Sequence, residues 1–267
     1  MAKITEDARQ QFNVEVENYK NRINECLEKE KNMLTVIKGN TAGAEYQKLI
    51  LAEEMIYVAT LYIAIHGSSM KILGVKNNDA LNEARKVLYK SIIYLEEIVT
   101  NSINIAYSEL ADQLASISNT PIQKRYQLVQ KLGLAIEMVI EGFGDNSKWK
   151  WSFVELQGRF AVVAKNMLDM KTAVKDYFDP NSPDYEPTVL YVRLVKKLVE
   201  GSATAYRDRY ELSTRRIDDI NAGINFLLAL RRIEVALGSS EEAEEIKKKA
   251  ITWKKLMEAD HKSGKSN

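Results

Sequence analysis

Apolar residues recur every three or four positions along almost the whole chain, the spacing of one face of an α-helix. The first stripe follows Thr5, a cap residue. It runs through Phe12, Val16, Tyr19, Ile23, Cys26, Met33 and Ile37 to about Lys38, with Glu30 in one slot. Its heptad-like spacing suits a seam against a partner helix. Gly39 to Gly43 breaks the pattern. A second helix is predicted over about Ala44 to Ile65. After Met55 it is apolar on almost every face, which predicts a central, buried position, and 66-HGSS-69 ends it. A third helix starts at a cap of Asn78 or Asp79. Its stripe runs from Leu81 to Ile117 in steps of three or four, which as one helix is roughly forty residues and about 60 Å. Then 119-NTP-121 sets a cap residue before a first-turn proline and opens a fourth helix, which ends near 142-GFGDN-146.

The stretch 148-KWKWSFVELQGRF-160 admits a strand reading, with Trp149, Trp151 and Phe153 alternating with Lys148, Lys150 and Ser152. The alternation fails at Val154. The helical series Trp149, Phe153, Leu156, Phe160, Val163, Met167, Met170, Val174 and Tyr177 runs without a miss. It predicts a fifth helix capped by Asp145, Asn146 or Ser147, with Trp149 buried. A second stripe, Trp151, Val154, Gly158 and Ala161, predicts packing on two sides. The proline-rich 179-DPNSPDYEP-187 is a loop. A sixth helix follows from about Pro187 to Leu237, with Gly201 and Gly223 as its weak points. In 239-SSEEAEEIKKKAITWKKL-256, a serine cap, early acids and later bases predict a seventh, with Glu244–Lys248 and Glu245–Lys249 pairs.

The expectation is therefore an all-α protein, an elongated bundle of roughly seven helices forming a single domain over 1–267. The seam helix spans 5–38. Residues 87–110 and 189–212 both begin VLY and end EL, which suggests two three-helix halves, 44–142 and 146–260.

Composition narrows the function. Hydrophobic residues make up 45% and charged residues 28%, the balance of a soluble globular protein. A net charge of +1 gives no global attraction to nucleic acid or anionic lipid. The single cysteine, Cys26, forms no intrachain disulfide and suggests a reducing compartment. The N-terminus shows no apolar secretory core, and the most apolar run, Met55 to Ile65, falls short of the ~18 residues of a membrane span. A cytoplasmic protein without a membrane span is expected.

The candidate chemistry is thin. Two histidines and one cysteine do not make a zinc motif. A carboxylate di-metal bundle needs Glu-x-x-His on two helices, and Glu258–His261 alone matches that spacing. No phosphate-cradling glycine loop is present. No metal and no cofactor are expected. An enzyme with its site near Glu53 and Glu54, beside the apolar run, is the third and least favoured reading. A Cys26–His66 nucleophile pair is outweighed by Cys26 as a seam residue in the acidic setting CLEKE. Trp149 and Trp151 as base-stacking platforms are outweighed by burial of Trp149 and by the neutral charge, so no nucleic acid is expected. Tyr206, Arg209, Tyr210 and Arg216 could face an anion, against a solvated helix face paired locally by Asp208, Glu211, Asp218 and Asp219. The leading expectation is a non-enzymatic structural or interaction protein. It assembles with itself or with helical partners through the seam Phe12, Val16, Tyr19 and Ile23. The alternative is an anion- or phosphopeptide-binding adaptor using the Arg/Tyr face.

Overall fold

The computed structural model describes residues 4–144 and 149–264 of the chain. Among the described residues it is all-helical, with no strand and ten α-helices. These are α1 (Glu6–Gly39), α2 (Ala44–Ser68), α3 (Asn78–Val99), α4 (Tyr107–Ala115), α5 (Ile122–Phe143), α6 (Lys150–Asn166), α7 (Met170–Tyr177), α8 (Tyr185–Arg209), α9 (Ile217–Ala236) and α10 (Ser240–Lys262). Two five-residue π-turns, Ser69–Leu73 and Tyr210–Thr214, extend α2 and α8.

Ten helices replace the expected seven because three long stripes are broken, the third and the fifth without a break in apolar spacing. The forty-residue third helix stops at Val99, where Thr100 turns to φ 66°. The run 100-TNSIN-104 is rich in residues whose side chains compete for backbone groups, and it leaves the helix although Ile103 and Ala106 keep the register. The fifth stripe breaks at Met167–Asp169. The Asp169 carboxylate accepts from Lys171 N at 3.0 Å and Thr172 Oγ1 at 2.6 Å and caps α7. The sixth breaks at Arg215 (φ 53°) and Arg216, not at Gly201 or Gly223, both of which lie inside helices. Nor does 66-HGSS-69 end the second helix. The π-turn carries it on to Gly74, and Ala44–Leu73 becomes long and apolar enough to cross a membrane by length and composition, with half of its most apolar window buried. The helix α3 is capped one residue earlier than expected, by Asn77 Oδ1 accepting from Ala80 N at 3.0 Å. The expected caps Asp145, Asn146 and Ser147 lie outside the described residues. In α10, Glu244 pairs with Lys247 at 3.1 Å and Arg231 at 3.9 Å.

The chain folds as two compact units. Unit 1 is Met1–Ile98 with Leu128–Lys150, and unit 2 is Val99–Gln127 with Trp151–Asn267. In unit 1, α1 lies along α2, and Leu51, Met55, Leu88, Leu95 and Leu132 are fully buried. Ser91 Oγ donates to Ala52 O at 2.9 Å and ties α3 to α2. Glu30, the polar residue in the seam, is buried. It accepts from Tyr94 Oη at 2.5 Å and Lys90 Nζ at 2.6 Å, so its charge is paired where it is desolvated. In unit 2, α9 packs along both α8 and α10. Gly223 permits this, since a Cβ there would lie 3.0 Å from Ala203 O and 3.3 Å from the Trp253 ring. Every residue from 161 to 168 is buried, which agrees with α6 packing on two sides.

Candidate functional site

The break after α3 frees carbonyls that a continuous helix would have bonded, and unit 2 satisfies them from inside. The buried Asn166 donates through Nδ2 to the carbonyls of Val99, Thr100 and Ser102 at 3.2, 3.1 and 3.1 Å. Its Oδ1 accepts from Lys165 Nζ at 2.8 Å, which sets the amide orientation. Arg232 from α9 donates to Ile103 O at 3.0 Å and Asn104 Oδ1 at 3.1 Å. Lys165 is 1% exposed. Burial, with Arg232 nearby, pulls its ammonium pKa down to about 8. Its Nζ lies 5.9 Å from the centre of the Tyr107 ring. Burial pushes the Tyr107 phenol up, and its hydroxyl is buried without a hydrogen-bond partner. Tyr107 also lines a cavity of about 600 Å³ with Ser108, Ala111, Met170, Lys171, Val174 and Ala236. Neither Lys165 nor Asn166 stood out in the sequence. Both occupy positions in a helix buried all round, and a polar pair amid VVAKNML was the available signal.

The Arg/Tyr set is brought together but turned inward. Arg209 is ion-paired to the buried Asp219 and donates to Trp151 O at 3.3 Å. Its guanidinium sits 4.8 Å from the centre of the Tyr206 ring. Tyr206 stacks on Phe226 at 5.6 Å and fills the space left by Gly158, where a Cβ would meet its ring at 2.6 Å. Tyr210 is fully buried and donates to Asp260 at 2.9 Å. Arg216 alone of the four is exposed, 3.8 Å from Asp218.

The other candidates are also engaged. In the seam, Val16 and Ile23 are buried and Phe12 and Tyr19 half-buried, with α2 of the same chain alongside. Cys26 is buried, and burial followed by Glu54 pushes its thiol up to about 11, away from nucleophile character. His66 does not cap a helix end. Its Nδ1 accepts from Asn77 N at 3.2 Å, and burial lowers its pKa. Glu53 pairs with Lys131 at 2.5 Å and Glu54 with Lys29 at 3.2 Å. Trp149 is half-buried rather than buried, because it sits in a turn ahead of α6. Arg85 covers it at 4.3 Å and Phe143 meets it edge-on at 6.3 Å. Among the described residues no three His, Cys, Asp or Glu side chains gather as metal ligands.

Unit 1 carries a second concavity, of about 320 Å³, between α2 and α5. Ile56, Thr60 and Ala135 line it with Glu53 and Lys131, and Tyr57, Leu134 and Met138 stand at its edge, 42%, 60% and 39% exposed. Helical spacing explains the edges. Ile50, Glu53 and Tyr57 follow one face of α2, and Lys131, Leu134 and Met138 one face of α5. Nine of the fourteen large exposed hydrophobic side chains among the described residues belong to unit 1.

A protein-family model matches residues 8–261, and the chain belongs to that family, the TP0443 family. No curated protein and no solved structure matches it.

Proposed function

We propose that this member of the TP0443 family is a non-enzymatic interaction protein that receives an amphipathic helix of a protein partner in the α2–α5 groove of unit 1. The observation that supports this reading is the exposed apolar edge formed by Tyr57, Leu134 and Met138 over a floor of Ile56 and Ala135. Helix-in-groove recognition needs an apolar channel with anchors at helical spacing and a polar rim. Here the Glu53–Lys131 pair and Arg22, 5.9 Å from the Tyr57 ring centre, supply the rim. Fully covering each large side chain contributes about 1.5–3 kcal/mol, from which association costs are subtracted. The seam of α1 serves this reading indirectly, by packing along α2.

A photo-reactive amino acid at position 134, placed in the full chain in its own cells, tests the reading. Covalent adducts with a helical segment of another protein are expected. A Tyr57→Glu, Met138→Glu double variant carrying the same probe loses them while keeping its helical signal and melting temperature. Adducts that persist unchanged in the double variant, or no adducts at all, would sink the reading. Adducts with a second copy of the chain would redirect it to self-assembly.

A further inference from the structure

Two cations sit beside Tyr107 without an anion. Lys165 spends one of its three N–H donors on Asn166, and Arg232 meets only neutral oxygens, Ile103 O and Asn104 Oδ1. Among the described residues no carboxylate pairs with either. Burying a charge without a counter-charge is costly, and two like charges side by side raise the cost. Elsewhere the chain avoids this: buried Glu30, Asp219 and Glu234 each have a basic partner. The bond that orients Asn166 accounts for one Lys165 donor but not for a second cation, nor for the unpartnered Tyr107 hydroxyl.

The adjoining cavity has the complementary character. Its lining includes no acid. Ala111, Met170, Val174 and Ala236 supply apolar wall, and Ser108, Tyr107 and Lys171 supply donors. At about 600 Å³ it falls in the ~300–1,000 Å³ range of small-molecule sites. A cavity of about 440 Å³ that shares Ala111 has the opposite lining, with Asp169, Asp176 and Asp184 against Arg125. The positive character is therefore local to the Tyr107 side.

We propose that the Tyr107 cavity binds a small amphipathic anion, a monocarboxylate or phosphate monoester with a short apolar body. The apolar body lies against Met170, Val174 and the two alanines. The anionic head meets Ser108 and Lys171 and is drawn by the field of Lys165, whose Nζ lies 5.9 Å from the Tyr107 ring centre, and of Arg232. This is independent of the unit 1 groove.

Titration calorimetry on the full chain tests it, with octanoate and octyl phosphate as probes and octanol and octylamine as uncharged and cationic controls. Both anions are expected to bind, the stronger one identifying the head group. Octanol is expected to bind at least tenfold more weakly, and octylamine not at all. With Lys165 titrating near 8, octanoate affinity should fall about tenfold between pH 7 and pH 9. Lys165→Met removes a buried charge and keeps the apolar stem. It should weaken octanoate at least tenfold and flatten the pH profile. Lys171→Gln, at an exposed position, should weaken both anions severalfold without affecting the fold. No heat from either anion at millimolar concentration, or octanol equal to octanoate, overturns the proposal. So does a Lys165→Met protein that binds as wild type. Should Lys165→Met fail to fold, a flat wild-type pH profile with unchanged Lys171→Gln affinity overturns it equally.

Discussion

The helix pair α2–α3 in unit 1 and the pair α8–α9 in unit 2 turn the chain by the same backbone device. In each, a 25-residue helix runs into a five-residue π-turn, and a left-handed residue ends it, Gly74 at φ 66° in one and Arg215 at φ 53° in the other. What holds the two turns differs. In unit 1 the bonds are neutral: Ser69 Oγ donates to Val75 O at 2.9 Å and Asn77 N donates to His66 Nδ1 at 3.2 Å. In unit 2 they are charged: Asp219 pairs with Arg209 and accepts from Thr214 Oγ1 at 2.5 Å, while Arg215 reaches Asp260 at 3.3 Å. A glycine adopts the left-handed region freely, whereas an arginine there carries strain that its surroundings must offset. The path of the backbone can thus be the same while its energetic basis is local chemistry of opposite kinds.

Removing the charged anchor should separate the two turns most. Asp219→Ala leaves the half-buried Arg209 without its carboxylate and should cost about 3 kcal/mol, read as a lowered urea midpoint. An Arg209→Met, Asp219→Leu double change should recover much of that loss. If Asp219→Ala melts like wild type, the ion pair is not what holds the second turn. The second effect lies in unit 1. Gly74→Ala meets no atom within 4 Å, so its cost is conformational alone, about 1–2 kcal/mol for a left-handed non-glycine residue. A loss well above that range would mean the first turn depends on packing that its geometry does not reveal. The smallest effect is one of pH. Burial lowers the folded-state pKa of His66, so the unfolded chain binds its proton more tightly. The His66 contribution should be complete above about pH 6.5 and be lost as pH falls through the lowered folded value. His66→Gln should remove that part of the acid sensitivity. An unchanged pH–stability curve in the variant would count against the bond to Asn77.

The helical class was legible because stripes at steps of three and four run along nearly the whole chain, and at two of the three breaks they continue through. That persistence is also why the breaks were not legible. Val99, Ile103, Ala106 and Leu110 keep register across the turn at Thr100, and Phe160, Val163, Met167 and Met170 do so across the cap at Asp169. Periodicity reports which face meets the core, and a helix that stops and restarts against the same core keeps the period. The decisive residue for the first break, Asn166, lies 66 positions from Thr100, so no local window contains both. The Arg/Tyr cluster was legible as a constellation but not as an inward one. In the sequence Asp219 reads as one of several acids on a solvated face, and the packing of α9 on α8 buries it. Glu30 was visible as an exception in an apolar seam. Its partners Tyr94 and Lys90 belong to a helix sixty residues on, and folding is needed to bring them together.

The chain crosses between its two units three times, after Ile98, Gln127 and Lys150. The order of synthesis therefore matters. As the polypeptide leaves the ribosome, α1, α2 and α3 emerge without the part of α5 that completes their unit. Residues 99–127 emerge before α6 to α10, against which their own unit is built. In that interval the carbonyls of Thr100 and Ser102 have no Asn166 to meet. A nascent chain stopped before residue 128 would hold unfinished parts of both units, and neither unit corresponds to a single contiguous stretch that could be made alone.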